Sequence, residues 1–289
     1  MWKIGLFILI LVFVLCIVAE IQRELRTFQI IRYIVPSFKW RGADSGNIIF
    51  VSDLHNHEYG DQNEVLIDAI EKEKPELILV GGDVLVGKED ISYEVAARFI
   101  EHIVKIAPVY YANGNHEQRM KEAPKKYKNS YQIYKERLCK AGVHFLENES
   151  ETVELNGNKL RLTGLELQME VYEKMKSHTV TKEDVIQKVG KASQTQLQVL
   201  MAHNPEYMDA YQDWGADITL SGHLHGGLVC LPNGKSVITP QFHLFPKHAG
   251  EMKVEKNHTA IVSRGLGTHT VNIRLFNPAE LIVIRFSKK

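Results

Sequence analysis

IIFVSDLH, residues 48–55, is a short apolar run that ends abruptly in two side chains able to bind metal, Asp53 and His55. Four apolar residues bounded by polar ones fit one buried strand and are too few for a helix. The arrangement recurs down the chain. LILV (77–80) runs into Gly81-Gly82-Asp83, and VYYA (109–112) into Asn113-Gly114-Asn115-His116-Glu117. LQVLMA (197–202) leads to His203-Asn204, and ITL (218–220) to Ser221-Gly222-His223-Leu224-His225-Gly226-Gly227. Amphipathic stretches at 64–73 and 92–106 separate the first three runs, the alternation of a parallel sheet covered by helices. Functional loops in such sheets lie beyond the carboxyl ends of the strands. Five strand ends are thus expected to bring Asp53, His55, Asp83, Asn115, His203, His223 and His225 to one rim.

The chemistry of that set points to metal. In Asp53-x-His55 and His223-x-His225 the side chains are two residues apart, so an extended backbone would aim both at one face. Glycines before Asp83, Asn115 and His223 allow sharp turns and close backbone approach. Imidazole, carboxylate and amide oxygen together suit Mn, Fe or Zn better than a thiolate metal or Ca. A carboxylate shared by two cations would hold them about 3.5–4 Å apart, the separation that clamps attacking and leaving oxygens in phosphoryl transfer. Each element alone has an ordinary explanation: Asp-x-His as a turn, Gly-Gly-Asp as a loop, Gly114-Asn115-His116-Glu117 as a helix cap. Five of them in series reverse that reading.

Asp-x-His, Gly-Asp, Gly-Asn-His-Glu, a single His and Gly-His-x-His, in this order over residues 53–225, resemble the calcineurin-like metallophosphoesterase superfamily. The segments Ser263-Arg264-Gly265-Leu266-Gly267, Arg274 and Pro278-Ala279-Glu280 resemble its membrane-associated bacterial branch, which includes UDP-diacylglucosamine hydrolases. The resemblance implies a four-layered α/β/β/α sandwich and two divalent transition metal ions. Asp53, His55 and His225 would hold one, and Asn115, His203 and His223 the other, with Asp83 between them. It implies hydrolysis of a phosphoester, a phosphodiester or diphosphate, by a hydroxide bound at the metals, with His116 contacting phosphate and assisting the leaving group. A phosphomonoesterase or nucleotidase, or a non-catalytic binding scaffold on the same fold, are the alternatives.

Glu117 stands where Asp is commoner, and is not expected to touch metal. His57 could reach substrate, but reads better as an exposed loop residue or a partner of a ligand. His102, His144, His178, His243, His248, His258 and His269 read as surface residues.

Asn156-Gly157 marks a hairpin between strands at 152–155 and 159–163, and 259–264 and 281–286 read as closing strands. Residues 166–193 are charged and helical in character. At the other end, IGLFILILVFVLCIVA (4–19) is an uncharged run of about 24 Å, short for a ~30 Å hydrocarbon layer but able to cross with its flanks. The expected organisation is a transmembrane anchor at 1–22, a juxtamembrane segment and linker at 23–46, and the metallophosphoesterase domain at 47–289. A cleaved signal peptide is the alternative, though Ile17-Val18-Ala19 fits a cleavage site poorly. Arg23, Arg26, Arg32, Lys39 and Arg41 after the run favour a cytoplasmic domain on a single-pass cell-membrane protein. An anchor would concentrate a lipid-linked substrate. Thirty-five basic residues balance 35 acidic ones, which argues against a nucleic-acid surface. Three dispersed cysteines argue against a disulfide framework.

Overall fold

The computed structural model describes all residues except 1, 174–177, 232–233, 240–243, 247 and 269–270. In chain order come α1 (Trp2–Arg26), β1 (Phe28–Ser37), β2 (Ile48–Val51), α2 (Glu64–Lys72), β3 (Leu77–Val80), α3 (Glu94–Ile103), β4 (Val109–Tyr111), α4 (Asn115–Glu122), α5 (Ser130–Lys140) and β5 (His144–Phe145). There follow β6 (Ser150–Leu155), β7 (Asn158–Leu165), α6 (Lys182–Val189), β8 (Leu197–Ala202), α7 (Met208–Trp214), β9 (Ile218–Ser221), β10 (Val229–Cys230), β11 (Ser236–Ile238), β12 (Glu251–Glu255), β13 (His258–Val262) and β14 (Ala279–Lys288). Two six-stranded sheets result, ordered β1-β14-β2-β3-β4-β5 and β12-β13-β9-β8-β7-β6. Strands β2 to β5 are mutually parallel, as are β7, β8, β9 and β13.

The pleat of each strand builds the layers. Ile48, Phe50, Leu77 and Leu79 face Leu197, Val199, Met201, Ile218 and Leu220 in a core between the sheets. The alternate residues Ile49, Val51, Ile78 and Val80 pack with Leu66, Ile70, Phe99, Ile100 and Leu138 of α2, α3 and α5. On the far side, Leu200 and Ala202 meet Val185 of α6 with Tyr211 and Trp214 of α7. Because successive side chains point to opposite faces, a strand apolar at every position is buried on both. This is the expected four-layered α/β/β/α sandwich.

Two expectations fail. The segment read as linker contains β1, paired in parallel with β14 from Phe28–Ala279 to Ser37–Lys288. As the edge strand it is covered on one side only and tolerates Pro36, so it lacks the continuous apolar signature of β2 or β3. Of the helical stretch expected at 166–193, the described residues form one short turn at Met169–Tyr172 and α6. Thr181 and Asp184 cap α6, and Gly190, at φ 74°, ends it.

Candidate active site

The residues after β2, β3, β4, β8 and β9 meet at one rim of the two sheets, but not by strand pleat. Asp53, His55, Asp83, His223 and His225 all have positive φ, between 48° and 69°. The expected extended Asp-x-His and His-x-His are instead runs of left-handed turns just beyond Val51 and Ser221. Asp and His tolerate this region better than branched or bulky residues, yet each such residue costs roughly 1–3 kcal/mol and persists only where its surroundings enforce it. Here they do. Asp53 N–H donates to Gly82 O (3.0 Å) and His55 N–H to Asp83 O (3.0 Å), cross-linking the two loops. A Cβ at Gly114 would strike the Asp83 carboxylate, and one at Gly222 the Asp53 carboxylate.

Among the described residues three groups of donor atoms form: Asp53, His55 and His225; His55, Asp83 and His116; Asp83, His203 and His223. Within each, the atoms lie within 4.8 Å of one another. His55 Nε2 and His225 Nε2 are 3.1 Å apart. Asp83 Oδ2 lies 3.2 Å from His203 Nε2, 3.8 Å from His55 Nε2 and 3.9 Å from His116 Nε2, and so sits between the groups. Asn115 opens α4, one residue before His116, whose backbone N–H donates to Asp83 Oδ1 (2.8 Å).

Protonation decides whether this set fits cations. His203 Nδ1 is 2.8 Å from Gly81 O, and His225 Nδ1 is 3.0 Å from Gly267 O. A carbonyl can only accept, so Nδ1 carries a hydrogen in both rings and each Nε2 is left for a cation or a second proton. Asp83 Oδ2 lies 3.2 Å from one and Asp53 Oδ1 3.4 Å from the other, so without positive charge at Nε2 acceptor would meet acceptor. Asn115 Oδ1 is buried with no hydrogen-bond partner. Ligands on one first-row cation, with bonds of about 2.0–2.1 Å, lie roughly 2.9–3.4 Å apart. The residues fit a pair of divalent cations.

Charge in the site agrees. Burial opposes ionisation of Asp83, but the charges of His203 and His116 outweigh it and hold the carboxyl well below its usual range. Burial likewise opposes protonation of His203, yet Asp83 and Asp53 together push it up to about 10. That excess affinity for a proton is the affinity a cation would use. His223 and His225 are driven down, chiefly by burial.

A second ring of groups holds these side chains. The fully buried Glu117 carboxylate accepts the N–H of Asp83 (2.8 Å), Val84 (2.9 Å) and Gly114 (3.1 Å) and the Tyr111 hydroxyl (2.7 Å). Burial and the Asp83 charge push it up to about 7. Ser52 Oγ donates to Asp53 Oδ2 (2.6 Å). Arg274, buried, donates to the carbonyls of Arg264, Gly265 and Gly267. Gly87 N–H donates to His116 Nδ1 (2.8 Å), leaving the hydrogen on Nε2.

The calcineurin-like phosphoesterase family model matches residues 46–227. The chain belongs to this family. Among relatives of this calcineurin-like phosphoesterase, the uncharacterised protein YpbG of Bacillus subtilis is 27% identical over 258 residues, 86% of this chain and 84% of that protein. Phosphodiesterase YaeI of Escherichia coli is 26% identical over 209 residues, 71% and 69% of the two chains. Phosphopantetheinyl hydrolase of Mycobacterium tuberculosis covers 77% of this chain and 90% of its own, at TM-score 0.45 and 12% identity. The protein is therefore a metal-dependent hydrolase of phosphoric esters.

The other histidines follow the surface expectation only in part. His57 is half-buried, with its ring edge-on to Tyr59 at 4.6 Å. His248 and His258 are buried, the latter against Thr219 Oγ1 (2.9 Å). His102 and His144 are exposed and His178 is half-buried; His243 and His269 lie outside the described residues. Tyr172 went unread: its ring meets His223 edge-on at 5.0 Å. It comes from a charged stretch with no periodic signal.

Proposed function

We propose that this phosphoesterase is a membrane-anchored, two-metal enzyme acting on a phosphodiester or diphosphate carried by an amphiphilic, lipid-linked molecule. Asp53, His55 and His225 would hold one cation, Asn115, His203 and His223 the other, and Asp83 would be shared. The observation that carries this is Asp83 Oδ2, within 4 Å of Nε2 atoms from both sets. The cations would supply the charge that acidifies a water and neutralises phosphate, so no strongly basic surface is needed.

The protein's own groups do the rest. Gly81 O and Gly267 O hold Nδ1–H of His203 and His225, so that each Nε2 is left for a cation. His116 Nε2 carries a hydrogen toward the carboxylates and would donate it to a phosphate oxygen or the leaving group. Ser52 Oγ and the His223 N–H donate to the Asp53 carboxylate and orient it. The phosphodiesterase YaeI supports a diester over a monoester. The lipid link is supported by α1, whose residues 2–16 are exposed and almost wholly apolar.

The test is hydrolysis of a chromogenic phosphodiester by the full chain with added Mn, beside Asp83→Ala and His116→Ala. Loss in both variants is expected; unchanged rates would remove the mechanism. A panel of soluble and micellar esters then decides the substrate. Preference for soluble nucleotides would remove the lipid-linked reading.

A further inference from the structure

The end of α1 is bonded to the catalytic domain. Glu24, buried, accepts the Asn277 N–H at 2.9 Å, and Asn277 Nδ2 donates to the carbonyls of His225 (2.7 Å) and Gly227 (2.6 Å). Just after the helix, the Phe28 ring meets Tyr59 at 4.9 Å. The Glu24 bond and this ring contact place the end of the helix on the domain, close beside residues 273–277.

That segment belongs to a small ribbon. Leu275 pairs with Val229, β10 with β11, and Ile238 with Leu244. Segments 229–231, 236–238, 244–245 and 273–276 therefore lie side by side. Their exposed large side chains are Leu231, Leu244, Phe245, Ile273 and Phe276, with Phe245 70% and Leu244 66% accessible. Scattered exposed apolar groups need no explanation, but a contiguous set rimmed by polar surface marks an interaction site.

Position along α1 selects the occupant. The uncharged run ends at Ala19, and Glu24 lies five residues on, a rise of about 7.5 Å. Each headgroup layer of a bilayer is roughly 5–8 Å thick. With the run and its flanks crossing the hydrocarbon, Glu24 and its partner Asn277 would stand among the headgroups. Phe276 is the neighbour of Asn277, and Phe245 the neighbour of the bridged Leu244. We infer that Leu231, Leu244, Phe245, Ile273 and Phe276 form a second, peripheral membrane contact that seats this side of the domain on the lipid surface. Aromatic and aliphatic side chains beside an anchor are suited to that boundary. The ribbon also borders a cavity of about 630 Å³ lined by Phe245, Arg264 and Gly226, the residue after His225.

The inference rests on the anchor reading, and the experiment separates the two. The full chain carrying Trp2→Phe is reconstituted in phosphatidylcholine vesicles, with Phe245→Trp, Phe276→Trp or, as control, Ile133→Trp on α5. Flotation with the vesicles tests the anchor. Lipids with brominated acyl chains then test the face: quenching at 245 and 276 should exceed that at 133 by about threefold or more, with matching protection from aqueous iodide. A chain that floats but quenches alike at all three sites overturns the docking face and leaves the anchor standing. Failure to float removes the anchor and the inference with it. Protection from iodide without lipid quenching means a protein covers the face, and also overturns it.

Discussion

His55 and His225, 170 positions apart, bring their Nε2 atoms to 3.1 Å with their rings stacked 16° from parallel. The tautomer fixed by Gly267 O makes His225 Nε2 a lone pair, so the approach of Asp53 Oδ1 to it at 3.4 Å is unfavourable without positive charge between them. Metal should therefore stabilise the fold as well as activate it. Adding Mn or Zn at about 100 times its Kd to chelator-treated full chain should contribute about 2.7 kcal/mol. For a domain of this size that is roughly 5–10 °C in Tm. A melting curve indifferent to chelator and metal alike would sink the two-metal reading.

His116 is held ready as a donor by a backbone group. With Gly87 N–H on Nδ1, the ring can give only its Nε2 hydrogen. His116→Ala should lower kcat by roughly 10²–10⁴-fold, the usual worth of a positioned acid or base, with a much smaller change in KM. Metal content, measured by elemental analysis, should stay at two per chain. If metal is lost with activity, His116 acts as a ligand and not as a donor.

Glu117 supports Asp83 from below. Its oxygens accept backbone N–H groups of Asp83, Val84 and Gly114. Glu117→Gln retains one acceptor oxygen and turns a donor toward those donors. The expected cost is about 1–3 kcal/mol in stability and roughly 10–100-fold in metal affinity, as for other groups that orient ligands. Calorimetric titration with Mn reads the second directly; affinity equal to the parent would deny Glu117 this role.

The layers and the gathering of Asp53, Asp83, His203 and the two Gly-His-Leu-His histidines were legible because each follows a doubly buried strand, whose apolar run is unmistakable. What hid was of two kinds. Edge strands such as β1 have one protected side and admit Pro36, so their pattern blends into a linker. Backbone at Asp53, His55, His223 and His225 is left-handed, and spacing two apart says nothing of that. Groups that orient the candidate ligands through backbone, such as Gly81 O and Gly267 O, carry no side-chain signal at all.

His258 should make stability depend on acid. Burial pushes it down to about 4, and its Nε2 meets Thr219 Oγ1. In the unfolded chain it takes a proton near 6.5, so between pH 6.5 and 4 the unfolded state binds more protons. The folded state is favoured fully above pH 6.5 and progressively less as pH falls toward 4, by about 3 kcal/mol in all. His258→Gln should flatten this slope. Urea midpoints at pH 7.0 and 4.5 check it; an equal fall in parent and variant would place the acid sensitivity elsewhere.

Where the chain is cut should matter more than removing the anchor. A fragment starting at residue 41 loses β1, the buried Val35 and Trp40, and the Glu24 carboxylate that holds Asn277. Truncating a buried Trp alone costs about 3–5 kcal/mol. It also leaves β14 as an open apolar edge, a template for aggregation. A fragment starting at residue 20 keeps the β1–β14 ladder and the Glu24–Asn277 bond while discarding the uncharged run. The second fragment should be monodisperse, with a cooperative melt. The first should aggregate, or melt lower by at least the Trp40 contribution, roughly 6 °C or more. Equal Tm and solubility for both would mean that residues 28–40 pack on the domain without stabilising it.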